Sequence, residues 1–200
     1  MITLRRGAYF VTICVQGREC LFGEVVDGEM HLNDAGRAVR SVWQELPQHY
    51  PGVDVDEFVV MPNHFHGLVI LTGDIGVGAG PRACPQEGQP IAPGPRACPQ
   101  EGQPQGVAPT ISLPDVVHRF KSFTTARYRH GVTELGWPSF PGRLWQRNYY
   151  EYIIRDEADL NRIREYVAGN PAKWEEDEYH PNCRLRRCPR IPWPATGNNP

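Results

Sequence analysis

Apolar positions along the chain alternate between two periods. Ala8 to Val15 is rich in β-branched and aromatic residues and predicts a strand. Leu21 to Val26 and Glu29 to Leu32 flank Asp27-Gly28, a strong signal for a two-residue hairpin turn. The period then lengthens. Ala35, Val39, Val42, Trp43 and Leu46 fall on one stripe, so a helix capped by Asn33 or Asp34 runs to about Leu46, with Pro47 and Pro51 at its exit. Phe58 to Met61 and Leu68 to Leu71 are short apolar runs, read as two buried strands or one strand bent at Pro62-Asn63. Ser112-Leu113-Pro114-Asp115 starts a second helix, expected to reach about Arg129 with Val116, Val117 and Phe120 on its apolar side. Asp156 caps a third, whose stripe is Leu160, Ile163 and Val167 and whose end is set by Gly169 and Pro171. A short acidic helix around Trp174 is expected within Pro171 to Tyr179.

One stretch breaks the pattern. Gly80 to Pro90 recurs unchanged from Gly94 to Pro104. The repeat is rich in Pro and Gly and poor in large apolar residues, so it cannot build a packed core, and two copies are too few for a solenoid. Residues 73–110 are therefore read as a disordered low-complexity insertion. The rest of 1–179 forms one domain, and 180–200, with its prolines and arginines, forms a flexible tail. No apolar run is long enough to span a membrane, and no signal-peptide apolar region follows the basic first residues. Two of the six cysteines are copies within the repeat, which argues against a disulfide framework. A reducing, cytoplasmic setting follows.

A net charge of -2 excludes a protein that binds polyanions through bulk charge. The distribution changes that picture. Between Ile111 and Arg155 there are seven Lys or Arg residues against three acidic ones. Arg119, Lys121, Arg127, Arg143 and Arg147 are interleaved with aromatic residues such as Trp145, a combination that suits single-stranded nucleic acid. A solvated helix face would show the same charges, with Trp145 as a core residue.

The candidate chemistry lies at His64-Phe65-His66. A strand places residues two apart on one face, so both imidazoles face one way and Phe65 the other. Two histidines are half of a metal site. The rest is expected from the last helix, where Tyr166 and Asn170 are four residues apart on one side. An amide oxygen beside two imidazoles suits Mg²⁺ or Mn²⁺. A phenol, a poor nucleophile at neutral pH, becomes useful against a phosphodiester that a cation polarises. Tyr149 and Tyr150 compete for that role and lack the amide partner.

His64-Phe65-His66 resembles the His-hydrophobic-His motif of the HUH endonucleases. With a single tyrosine in Tyr166-Val167-Ala168-Gly169-Asn170-Pro171, the chain resembles the single-tyrosine transposases. Within these it resembles most the REP-associated tyrosine transposases. Supporting stretches are Met61 to His64, Phe120 to Thr124 and Leu144 to Glu151; the repeat insertion and the tail depart from the compact pattern. The resemblance implies an α+β fold, a ferredoxin-like or RRM-like antiparallel sheet with helices packed on it. It implies a metal-dependent endonuclease and strand transferase acting on single-stranded hairpin DNA through a 5′-phosphotyrosine, as a monomer or homodimer. Tyr166 would be the nucleophile, and His64, His66 and Asn170 the ligands. The alternatives are a regulator that binds single-stranded DNA without cutting it, and a zinc hydrolase for which no third His, Cys or carboxylate stands at a recognisable spacing.

Overall fold

The computed structural model describes residues 7–72 and 111–181; the repeat insertion and most of the tail lie outside them. Four strands form an antiparallel sheet: β1 (Ala8–Cys14), β4 (Val53–Val60), β5 (His64–Leu71) and β6 (Tyr150–Ile154), in the order β4-β5-β1-β6. A separate hairpin, β2 (Gly23–Val26) and β3 (Glu29–Leu32), precedes α1 (Asp34–His49), and α2 (Leu113–Glu134) connects β5 to β6. With the hairpin set aside, the chain runs strand, helix, two strands, helix, strand, and the first strand sits inside the sheet. This is the ferredoxin-like arrangement. A third helix, α3 (Glu157–Ala168), follows β6, and a 3₁₀ turn, Pro171–Glu176, follows α3.

The two faces of the sheet are covered differently. Val11, Ile13, Val15, Phe65 and Val69 face α1 and α2 in a large core built round Trp43 and Phe120. The Phe65 ring lies 4.7 Å from Trp43 and 4.9 Å from Phe120. Gly67 shares that face, where a Cβ would stand 2.7 Å from Trp43. Glycine is required there because the indole already occupies the space. Ala8, Phe10 and Leu68 face the other way, against Leu160, Ile163 and Val167 of α3.

The local signals account for most boundaries. Asn33 Oδ1 accepts from the Gly36 amide and starts α1. Asp27 and Gly28 both have positive φ, as a tight hairpin turn of this kind requires. Ser112 and Asp115 cap α2 reciprocally, and Asp156 accepts from the Asp159 amide to start α3. Three boundaries or elements differ from expectation, and one open alternative is decided in favour of two strands. α1 continues through Pro47 to His49, because a proline in the last turn withdraws only one hydrogen bond. α2 extends to Glu134, since Tyr128 and Gly131 continue its buried side. The runs around Pro62-Asn63 are two strands of eight residues, and the second begins at His64 itself. Tyr150–Ile154, read from sequence only as part of an aromatic and basic segment, is the edge strand β6.

Candidate metal and nucleophile site

His64 and His66 sit at the start of β5 on the α3 face, opposite Cys14 and Thr12 of β1. Both imidazoles are fully buried. Their Nε2 atoms are 3.0 Å apart. Burial keeps both rings neutral: it holds His64 well below the usual histidine range and pushes His66 down to about 3. Neutral imidazole is the form that binds metals.

The neighbours fix how each ring points. Asn63 Nδ2 donates to the carbonyls of Arg18 at 3.1 Å and Tyr179 at 2.7 Å, which turns its Oδ1 toward His64 Nδ1 at 2.9 Å. An amide oxygen only accepts, so His64 carries its proton on Nδ1 and its Nε2 lone pair faces the site. His66 Nδ1 lies 2.9 Å from Thr12 Oγ1, a hydroxyl able to donate or accept. Without an ion, His66 donates from Nε2 to His64. With Thr12 accepting instead, both Nε2 lone pairs are free for one cation. Neighbouring ligands of an octahedral ion at about 2.1 Å are about 3.0 Å apart, the separation the two rings already have.

Tyr166 reaches this site from α3. Its ring centre is 5.5 Å from that of His66 and 6.0 Å from that of Phe10. Burial raises its phenol well above the ordinary value; the charges of Asp177 and Glu178 add to the shift, and the Asn170 side chain opposes it. Asn170 is 3% exposed, and its Oδ1 has no hydrogen-bond partner among the described residues. An orphaned buried carbonyl costs about 1–3 kcal/mol, which a cation ligand bond would offset. That oxygen is therefore open to an added partner.

The structure adds residues that the motifs did not disclose. Past the 3₁₀ turn, Asp177 Oδ2 comes within 3.8 Å of His64 Nε2. His64, His66 and Asp177 form a cluster whose ligand atoms all lie within 4.8 Å of one another. Burial lifts the Asp177 carboxyl to about 6. The Tyr179 ring lies 4.7 Å from that of His64, with Arg18 stacked on it at 5.3 Å. Arg18 also donates to the Glu178 carbonyl at 3.1 Å. Residues 177–179 thus close the site from above. The zinc reading lacked a third His, Cys or carboxylate at a recognisable spacing, and Asp177 supplies one: two imidazoles and a carboxylate fit Mg²⁺, Mn²⁺ or Zn²⁺. The only sequence hint was the acidic run Glu175 to Glu178, which has no spacing relation to the histidines.

The expected DNA-contact residues do not form one surface near His64. Lys121 spends its three donors on the carbonyls of Gln146, Arg147 and Asn148, at 2.9 to 3.2 Å. Arg127 pairs with Glu45 of α1 at 2.5 Å, and Arg119 lies over the Tyr50 ring at 4.6 Å. Trp145 is a core residue, 4% exposed, with Nε1 donating to Thr124 Oγ1 at 2.7 Å; it is no stacking platform. The physical reason is the same for these: α2 turns one side to α1 and another to the 144–148 segment, and those neighbours take the charges and the indole. Arg143 and Arg147 remain exposed.

No family model matches the chain. An uncharacterised protein of Haemophilus influenzae is 36% identical over 174 residues, covering 87% of this chain and 85% of its own. A putative REP-associated tyrosine transposase of the same organism is 25% identical over 167 residues, covering 84% of this chain and 71% of its own. A solved REP-associated tyrosine transposase bound to a REP hairpin is 15% identical with a TM-score of 0.48, covering 86% of this chain and 72% of its own. Over most of its length the chain is thus similar to a putative REP-associated tyrosine transposase.

Proposed function

We propose that the protein is a metal-dependent single-strand DNA endonuclease and strand transferase that acts on hairpin-forming DNA through a 5′-phosphotyrosine. One observation carries this reading. The Tyr166 ring stands 5.5 Å from that of His66, whose Nε2 is 3.0 Å from that of His64, although α3 and β5 are distant in the chain, and a buried, unpartnered amide oxygen, Asn170 Oδ1, lies just past the end of α3. His64, His66 and Asn170 would hold a divalent ion, with Asp177 as a further donor. When bound, the ion supplies charge to polarise a phosphodiester and stabilise the oxygens of the transition state.

The chain's own residues do the rest. Asn63 and Thr12 orient the imidazoles. Phe10 stacks on His66 at 5.4 Å and meets Tyr166 edge-on, so it fixes both rings. The Tyr166 oxygen attacks phosphorus. The Oη–P bond forms and the P–O3′ bond breaks; the phenol loses its proton and the departing 3′ oxygen gains one. The phosphotyrosine keeps the energy of the broken linkage, so a 3′-hydroxyl can later attack it and rejoin the strand without ATP.

A denaturing gel with labelled hairpin DNA and Mn²⁺ tests the reading. The wild type should give a covalent protein–DNA band. Tyr166→Phe should bind the hairpin and give none, while Tyr149→Phe and Tyr150→Phe keep the band. A band that persists in Tyr166→Phe would remove Tyr166 as nucleophile. The second reading, a regulator that binds hairpins without cutting, is favoured by the closure of the site under Asp177 and Tyr179. Tight hairpin binding with no band from the wild type, under Mg²⁺, Mn²⁺ and Zn²⁺ alike, would select it.

A further inference from the structure

Tyr166 is carried by α3, so whatever sets the roll of that helix sets where the phenol stands. Leu160, Ile163 and Val167 hold α3 to the sheet. Apolar burial is non-directional, and it keeps the helix on the sheet more firmly than it fixes the helix about its own axis. Arg164 and Tyr166, two residues apart, leave the helix about 200° from one another and flank the stripe of Ile163 and Val167 on opposite sides. A helix that rolls as a rigid body cannot move one without moving the other.

Arg164 reaches β4 at a bulge. Asp56 and Glu57 lie between Val55 and Phe58, whose partners on β5 are Val69 and Gly67, so two residues oppose Leu68 alone. Val55 and Phe58 both pack on the core under α1 and α2, while Asp56 turns to α3. Three donors hold its carboxylate. Arg164 Nε donates to Oδ1 at 3.1 Å, Arg164 Nη2 donates to Oδ2, and the Glu57 amide donates to Oδ1 at 2.7 Å. Burial alone would raise the Asp56 carboxyl; the bonds from Arg164 and Glu57 outweigh it and hold the group below its ordinary value. A planar fork on a carboxylate fixes angle as well as distance. Arg164 Nη1 is braced in turn by Asn161 Oδ1, one turn back, at 3.1 Å. The side-chain bond between Asp159 and Tyr152 of β6 also ties α3 to the sheet, but near the start of the helix, roughly 10 Å along the axis from Tyr166.

We propose that Asp56 and Arg164 are a positioning pair for Tyr166, locking the roll of α3 so that the phenol stays over His66 in line for attack. This rests on the reading of Tyr166 as the nucleophile. Neither residue meets the reacting atoms; both act through the helix backbone. At a radius of about 6 Å, a roll of about 20° would carry the Tyr166 ring by about 2 Å. A misplacement of about 1 Å is enough to cost on the order of a hundredfold in rate. The bulge has the same purpose: it presents Asp56 to the helix while returning Phe58 to the core.

The test measures, on the full chain, the single-turnover rate of covalent-band formation at saturating hairpin DNA and Mn²⁺, the hairpin Kd and the melting temperature. Asp56→Asn and Arg164→Met should each slow the band roughly tenfold or more and leave Kd within about twofold. Arg164→Lys, which keeps the charge and loses the fork, should be slow as well. The double variant Asp56→Asn/Arg164→Met should be no slower than either single change, because both remove one shared interaction. Asp156→Ala removes the cap of α3; it should lower the melting temperature yet leave the rate within about twofold. An unchanged rate in Arg164→Met, a wild-type rate in Arg164→Lys, additive losses in the double variant, or equal slowing by Asp156→Ala would each overturn the pair and spare the transferase reading. A wild type that forms no band would remove that reading instead. The pair is then decided by the His66 ring-proton resonances of the free chain, which the edge-on Tyr166 ring shifts. Arg164→Met should move them in the direction that Tyr166→Leu does; unmoved resonances would overturn it.

Discussion

Asp177 and the His pair have opposed electrostatic needs. The imidazoles are held neutral by burial, whereas burial of the carboxylate beside them, to 6% side-chain exposure, outweighs the opposing charge of Arg18. Its carboxyl is raised from 3.8 to about 6, so the folded protein binds a proton that the unfolded chain has already released between those values. Stability therefore falls as pH rises through about 4 to 6, and above pH 6 the whole cost is present. In chelator, Asp177→Asn should gain roughly 2–3 kcal/mol over wild type at pH 8 and under about 1 kcal/mol at pH 4, measured by urea unfolding. The histidines act equally in both proteins and cancel from that difference. An equal gain at both pH values would show that the charge is not the cause. Added Mn²⁺ should reverse the order at pH 8, stabilising the wild type more, because an ion that binds the folded state adds its binding energy to stability. Asn170→Ala should lower covalent-band formation and recover partly at high Mn²⁺, as expected when one ligand of several is lost; His64→Ala should not recover. The sequence disclosed the histidines because a two-residue spacing has one meaning in a strand. It hid Asp177 because that contact is made by a segment of irregular backbone, where spacing carries no direction.

At the scale of elements, Lys121 shows why a charged residue on a helix was misread. Half of it is turned inward, and its ammonium ties three successive carbonyls of the segment leading into β6. Its ring neighbour is Tyr149, 5.4 Å away. Lys121→Met should cost about 1–3 kcal/mol, since the carbonyls lose their donor, yet leave the salt slope of DNA binding unchanged. Urea melts and a salt titration separate the two effects; a changed slope with unchanged stability would return Lys121 to the DNA-contact set. The same tie explains why β6 was not legible. A strand of five residues with only Ile154 buried has no alternation to detect. Its place is fixed from outside, by pairing with β1 and by the segment that Lys121 and the Trp145–Thr124 bond hold down. By contrast α1, α3 and the β2–β3 hairpin were legible, because a cap or a turn residue marks each start and a stripe or turn marks the rest.

For the whole molecule, the ferredoxin-like order was legible only through the family motifs; hydrophobic pattern alone leaves the sheet order open, because β1 pairs with strands from both halves of the chain. The pairing has a further consequence. β5 carries the imidazoles at its first residues and ends at Leu71, about 23 Å away at the usual rise per residue. Thr72, from which the insertion departs, is tied to Gly52 at the far end of the sheet. α2 runs antiparallel to α1, with Arg119 at Tyr50 and Arg127 at Glu45, so its beginning, where the insertion returns, lies at that same far end. Residues 177–181, in contrast, lie over the chemistry. The protein therefore has a working pole and a free pole, and they differ as places to attach cargo. A small folded reporter substituted for residues 80–104 should leave covalent-band yield within about twofold and the melting temperature unchanged, since lengthening a connection adds little closure entropy. The same reporter joined directly after Pro181 should cut the yield, because it would crowd a hollow beside Arg18, next to the segment that covers the histidines. A programmable DNA-binding module meant to direct this protein to chosen sites should accordingly be spliced into the repeat and not appended to the tail.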